Sequence, residues 1–72
     1  MIELYANRYI YNDNGDINII KDKKYLIYSE VEKEGFGNGI GYVVLSETNE
    51  FLVFDSLFFF TEKQRKARDF NL

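Results

Sequence analysis

The 72-residue chain has no cysteine, histidine, tryptophan or proline, and a single methionine. Without cysteine there are neither disulfides nor thiolate metal ligands, so a reducing, intracellular setting is expected. Without histidine, the commonest general base and the commonest zinc ligand are gone. Without proline, turns must rest on Gly, Asn and Asp. No stretch reaches the ~18 apolar residues of a membrane span, because Asp55 splits the only candidate. The opening Met-Ile-Glu-Leu-Tyr lacks the basic start and apolar middle of a secretory signal. These absences predict a cytoplasmic protein with no membrane partner, no metal and no cofactor. No nucleophile stands beside a recognisable base, so no enzyme is expected.

Present instead are six Tyr and seven Phe. Each aromatic ring buries on the order of 150–250 Å², enough to build a core in a chain near the lower size limit for a single domain. Five phenylalanines, two leucines and one valine crowd into residues 51–60, interrupted by Asp55 and Ser56 alone. That run has no helical gap pattern. It predicts two short buried strands meeting at a turn, with most of the core around them.

The remaining segments read as strands and tight turns. Residues 3–11 are rich in β-formers and end at Asn12-Asp13-Asn14-Gly15, where Asn and Gly tolerate positive φ. Residues 17–20 form a short extended piece and 21–24 a polar turn. Residues 25–32 form a strand whose alternation breaks near Ser29, which predicts a bend or bulge there. Residues 33–39 form a loop, 40–46 a buried strand, 47–50 a hairpin turn leading into strand 51–54, and 58–60 a last strand. Thr61 with Gln64 fits a capping box, and a helix over 62–70 should follow, docked through Ala67 and Phe70, with Leu72 assisting. The predicted fold is mainly β, one domain over residues 1–72. It consists of a five-stranded SH3-like antiparallel barrel over residues 1–60 and a short C-terminal helix over 62–70.

Within this pattern, Lys21-Asp22-Lys23-Lys24-Tyr25-Leu26-Ile27-Tyr28-Ser29-Glu30 resembles the K-G-K-x-Y-x-V-x-x-E stretch of small SH3-like barrel proteins common in bacteriophage genomes. The resemblance covers residues 7–60, including the Glu-Thr-Asn-Glu hairpin and the Phe-rich closing segment. Asp22 stands where that family favours Gly, and the basic helix at 62–70 is no constant part of it. The resemblance implies a fold and a phage or mobile-element origin, with the host cytoplasm as location; it supplies no activity.

Several motifs invite chemistry and each has a plainer account. Gly35-Phe-Gly-Asn-Gly-Ile-Gly41 lacks the G-x-G-x-x-G spacing and a following helix, so a loop running into a bent strand is expected rather than a phosphate cradle. Phe36, alone among glycines, is the candidate exposed anchor for a partner. An EF-hand reading of residues 12–16 puts Ile10 and Lys21 where carboxylates belong, leaving a turn. Glu30, Glu32 and Glu34 alternate along one strand face and read as a solvated negative edge or an acidic docking surface.

Charge divides the chain. Residues 1–62 hold eleven of the twelve acids and five of the nine bases, whereas residues 63–72 hold Lys63, Arg65, Lys66 and Arg68 against Asp69. The six tyrosines exceed what one small core can hold, so Tyr9 and Tyr11 are candidates for an outward recognition face. The leading expectation is a non-catalytic module that binds another protein, as a regulator or inhibitor of a host protein if phage-encoded. One alternative is a nucleic-acid-binding barrel using Lys63, Arg65, Lys66 and Arg68. Another is an acidic decoy of DNA.

Overall fold

The computed structural model describes residues 2–70, with side chains described for residues 2–67. The chain is mainly β. Strands β1 (Ile2–Ala6), β4 (Lys24–Glu32), β5 (Ile40–Leu45), β6 (Phe51–Asp55) and β7 (Phe59–Phe60) form one antiparallel sheet in the order β6-β5-β4-β1-β7. Strands β2 (Ile10–Tyr11) and β3 (Ile17–Ile19) pair as a separate hairpin. A 3₁₀ turn at Ser56–Phe58 carries the chain from β6 to β7, and helix α1 (Glu62–Phe70) follows. The expected five-stranded sheet is present, but no ladder joins β6 to β7 among the described residues, so the sheet stays open there.

The expected first strand, 3–11, divides at residues 7–9. Asn7 donates its backbone N–H to Phe58 O (2.8 Å) and its side-chain amide to Leu57 O (2.7 Å). The 3₁₀ turn thereby takes the hydrogen bonds that would have prolonged β1. Two hairpins use the same device. At 12–16 and at 46–50, the third loop residue takes positive φ (Gly15, +86°; Asn49, +62°), and the flanking residues close the ring through Asn12 N–H to Asp16 O and Ser46 N–H to Glu50 O, both 2.8 Å. Asn12 Oδ1 accepts from the N–H groups of Asn14 and Asp16, both at 2.9 Å, so the acidic segment is occupied in its own turn.

Register divides the side chains into two faces. Leu4, Ala6, Tyr25, Ile27, Val44, Phe54 and Phe59 pair across the sheet on the inner face, and Ile19 of the hairpin joins them in the core. Tyr25 and Tyr42 pack around Phe59, with ring centroids 6.4 and 6.0 Å away. On β4 the register slips between Ile27 and Ser29, where two residues face one on β5. The bulge expected near Ser29 is therefore centred on Tyr28, and it turns the second half of β4.

The Phe-rich run differs from expectation. Only Phe54, Ser56 and Phe59 of residues 51–60 are buried; Phe51, Val53 and Leu57 are 61%, 41% and 52% exposed. Strand period 2 sends Phe51 and Val53 to a face of the sheet that is left largely uncovered, and Leu57 lies in the 3₁₀ turn.

Helix α1 begins as expected. Gln64 N–H donates to Thr61 Oγ1 (3.1 Å), and Thr61 N–H donates to Gln64 Oε1 (2.8 Å). Its docking differs: Ala67 is exposed. The Arg65 guanidinium lies 4.8 Å from the centre of the Tyr5 ring, and Arg65 Nε is 3.9 Å from Asp22 Oδ1. The side chains of Arg68 and Phe70, and the whole of Leu72, lie outside the described residues.

Candidate functional site

Outer-face register aligns Ser29 with Val43, Val31 with Gly41, Val43 with Val53 and Leu45 with Phe51. Cross-strand partners share a face, so Val31, Val43, Leu45, Phe51 and Val53 form an apolar strip on the β4–β6 unit, with Ser29 at its side and Asp55 opposite Gly41 at its end. At one end Tyr28 meets Phe51 edge to face, with centroids 5.0 Å apart at 89°. At the other end lies Gly41. A Cβ there would stand 2.6 Å from Val53 Cγ1 and 3.0 Å from Phe36 Cε2. The glycine is the floor on which Phe36 and Val53 rest. Phe36, read from sequence as a freely exposed loop tip, is half-buried against this floor and prolongs the strip.

The strip ends at an open strand. Ser46 N–H donates to Glu50 O, which makes 46/50 a hydrogen-bonded pair. Alternation then assigns 44/52 and 42/54 to the same class. The backbone groups of Leu52 and Phe54 therefore point to β5, while those of Phe51 and Val53 point away from the sheet. This edge carries neither lysine nor proline, the usual devices that discourage pairing.

The acidic candidates are split. Glu30 and Glu32 pair with Tyr42 and Ile40, on the face opposite the strip, where β4 has run past the end of β1. Glu34 lies beyond the strand, in the loop, so the three do not share a strand face as expected. All three are exposed. Tyr9 and Tyr11, 50% and 58% exposed, belong to the β2–β3 side of the molecule, away from the strip's ladder.

Among the basic candidates, Lys66 Nζ is 3.7 Å from Glu62 Oε1, Arg65 turns toward Tyr5 and Asp22, and Lys63 is exposed. Three basic groups thus do not form one face.

Two further features are built into the molecule. A groove of about 510 Å³ is bounded by Ile2, Leu4, Tyr42, Leu57 and Phe59. Its polar wall is engaged internally: Asn38 Oδ1 accepts from Ser56 Oγ (2.8 Å) and from Ile40 N–H (3.2 Å). The second feature is a polar knot. Glu47 Oε2 accepts from Lys23 Nζ and from Tyr25 Oη, both at 2.6 Å, and Tyr25 Oη accepts from Ile20 N–H at 2.8 Å. The Lys23 bond, then the Tyr25 bond, hold the Glu47 carboxyl below its ordinary value. Burial, then the bond to Glu47, push the Tyr25 phenol well above its own. Glu47 N–H also donates to Asn18 O (2.8 Å), so the knot ties the β5–β6 turn to β3.

No helix among the described residues is long and apolar enough to cross a membrane. Comparison with protein-family models, curated proteins and solved structures returned no match.

Proposed function

We propose that this chain is a non-catalytic protein-binding module on an SH3-like barrel, and that its contact surface is the outer strip of β4–β6. The strand order, the long bent β4 and the short turn linking the two edge strands support the architecture. The binding reading rests on one observation: Phe51, Val53 and Tyr28 stand exposed together, flanked by half-buried Phe36, Val43 and Leu45. A contiguous apolar face of this kind marks an interaction site in a small protein. Rings supply contact area with little rotamer entropy to lose. The hydrogen-bonded pair Tyr25 and Glu47 is accounted for as a structural tie between turn and strand. A phage-encoded regulator or inhibitor acting on a host protein fits such a module.

The test is capture of a partner by wild type, by Phe51→Ser and Val53→Ser, and by Tyr9→Ser as a control distant from the strip. Retention by wild type and Tyr9→Ser with loss in the two strip variants supports the reading. Capture that the strip variants do not weaken overturns it.

The alternative nucleic-acid reading draws support from exposed Lys63 and Lys66. It predicts a low-salt complex with single-stranded DNA that weakens steeply with added salt and disappears on deleting residues 63–72. A mobility shift that survives the deletion, or none at all, rejects it. The decoy reading predicts that a DNA-binding partner releases its DNA in competition with this protein.

A further inference from the structure

The edge beside the strip specifies how a partner is held and what charge it carries. We infer that β6 takes up an extended, cationic segment of the partner as an additional antiparallel or parallel strand, so that the sheet grows by one strand beyond Phe51–Asp55. This inference rests on the strip being the contact face.

Three observations carry it. First, the register turns the backbone N–H and C=O groups of Phe51 and Val53 away from β5, at hydrogen-bonding spacing for an added strand. Second, those same two residues carry the most exposed aliphatic and aromatic side chains of β6. Every second side chain of the incoming strand therefore lands beside Val53 or Phe51 and continues the apolar face. Third, charge is concentrated on this part of the chain. Residues 25–60 hold six acids (Glu30, Glu32, Glu34, Glu47, Glu50 and Asp55) against Lys33 alone. Glu50 immediately precedes β6 and Asp55 ends it, so acids bracket the open edge at both ends.

Charge also selects among occupants. A second copy pairing β6 against β6 would bring two segments 25–60 of net −5 together, and like charges in juxtaposition oppose that pairing. The same field attracts a segment that alternates apolar with basic residues. A helical ligand would use the strip but leave the outward backbone groups unpaired.

The probe is a capped nine-residue peptide alternating valine and lysine, with an otherwise identical valine–glutamate peptide as control. Binding is followed by amide hydrogen exchange and by titration at 20 and 500 mM NaCl. The inference expects the Phe51 and Val53 amides to exchange freely in the free protein and to slow at least tenfold with the lysine peptide. It also expects affinity to fall about tenfold or more at the higher salt, and no slowing with the glutamate peptide. Comparing Val53→Pro with Val53→Ala isolates the outward N–H. Proline is tolerated at an edge position whose N–H faces solvent, and the variant should bind about fivefold or more weakly than the alanine variant.

Unchanged exchange at Phe51 and Val53 with millimolar lysine peptide overturns the inference. Equal binding by the proline and alanine variants, or salt-stable dimerisation of the chain through β6, does the same. Should Val53→Pro fail to fold, Phe51→Lys replaces it: a basic residue on the edge must weaken the lysine peptide and spare the thermal transition. The two readings part cleanly. Loss of partner capture in Phe51→Ser, with full capture by Val53→Pro, keeps the strip and rejects strand addition; full capture by both rejects the strip as well.

Discussion

Glu47 is held in an environment that lowers its carboxyl's ordinary value. Its carboxylate accepts two short hydrogen bonds, one from half-exposed Lys23 and one from buried Tyr25. The Lys23 bond lowers the carboxyl's value most and the Tyr25 bond next, although an exposed ion pair by itself adds little to stability. A carboxyl held below its ordinary value binds its proton more weakly folded than unfolded. The stability it contributes is therefore complete above the unfolded glutamate value, about 4.3, and is lost as pH falls through the lowered folded value. Glu47→Gln should cost about 1–2 kcal/mol at pH 7, with the deficit shrinking toward pH 2 in urea unfolding. An undiminished gap at pH 2 would contradict this assignment. Tyr25 acts at the other extreme. A phenol whose value is raised on folding contributes stability that is complete below about pH 10 and declines as pH rises above it. Tyr25→Phe should remove the alkaline decline. At Gly41 the constraint is steric. Gly41→Ala sets a methyl against Phe36 and Val53, and overpacking of this kind costs about 1–3 kcal/mol. Phe36 ring resonances should shift toward a more solvated environment in the variant, while core Val44 keeps its own.

At the scale of elements, α1 depends on its first turn and on Arg65. Nine residues make a marginal helix, so the reciprocal bonds between Thr61 and Gln64 matter more than in a longer one. Thr61→Ala should cost about 1 kcal/mol and raise amide exchange over 64–66, with the β1–β4 ladder unaffected. Coupled loss of that ladder would mean that the helix is integral to the sheet. The cap was legible in the sequence because it is a four-residue pattern. The docking of the helix was not, since an arginine over Tyr5 leaves no periodic signal, and Ala67 points to solvent. Turns were legible for the same local reason: Asn12 to Gly15 and Ser46 to Glu50 close hairpins by residue type alone. The break of the first strand at Asn7 was not, because its cause, Leu57 and Phe58, lies fifty residues away.

At the scale of the whole molecule, charge and edge act together. The β4–β6 unit carries the net negative charge, and the only described helix carries the opposite sign. An open apolar edge without lysine predicts self-association when that charge is neutralised. Sedimentation should show a monomer at neutral pH and low salt, and larger species as pH approaches the sequence isoelectric point of about 4.8. Val53→Lys should suppress them, and persistence of the same species in that variant would locate the sticky surface elsewhere.

Local chemistry in the chain was sufficient to specify the mainly β class, most turn positions, the irregularity near Ser29, the helix start and the division of charge, because each depends on residues within a few positions of one another. Which face of each strand is covered was decided only by the tertiary structure. Alternation assigns Phe51 and Val53 to one side and Leu52 and Phe54 to the other, yet burial depends on what the rest of the chain lays across each side. The β2–β3 hairpin and the inner strands close over Leu52 and Phe54, whereas on the opposite side Phe36 folds onto Gly41 and Tyr28 meets Phe51 at the rim. That long-range choice turned Phe51 and Val53 of the most hydrophobic run into an exposed surface.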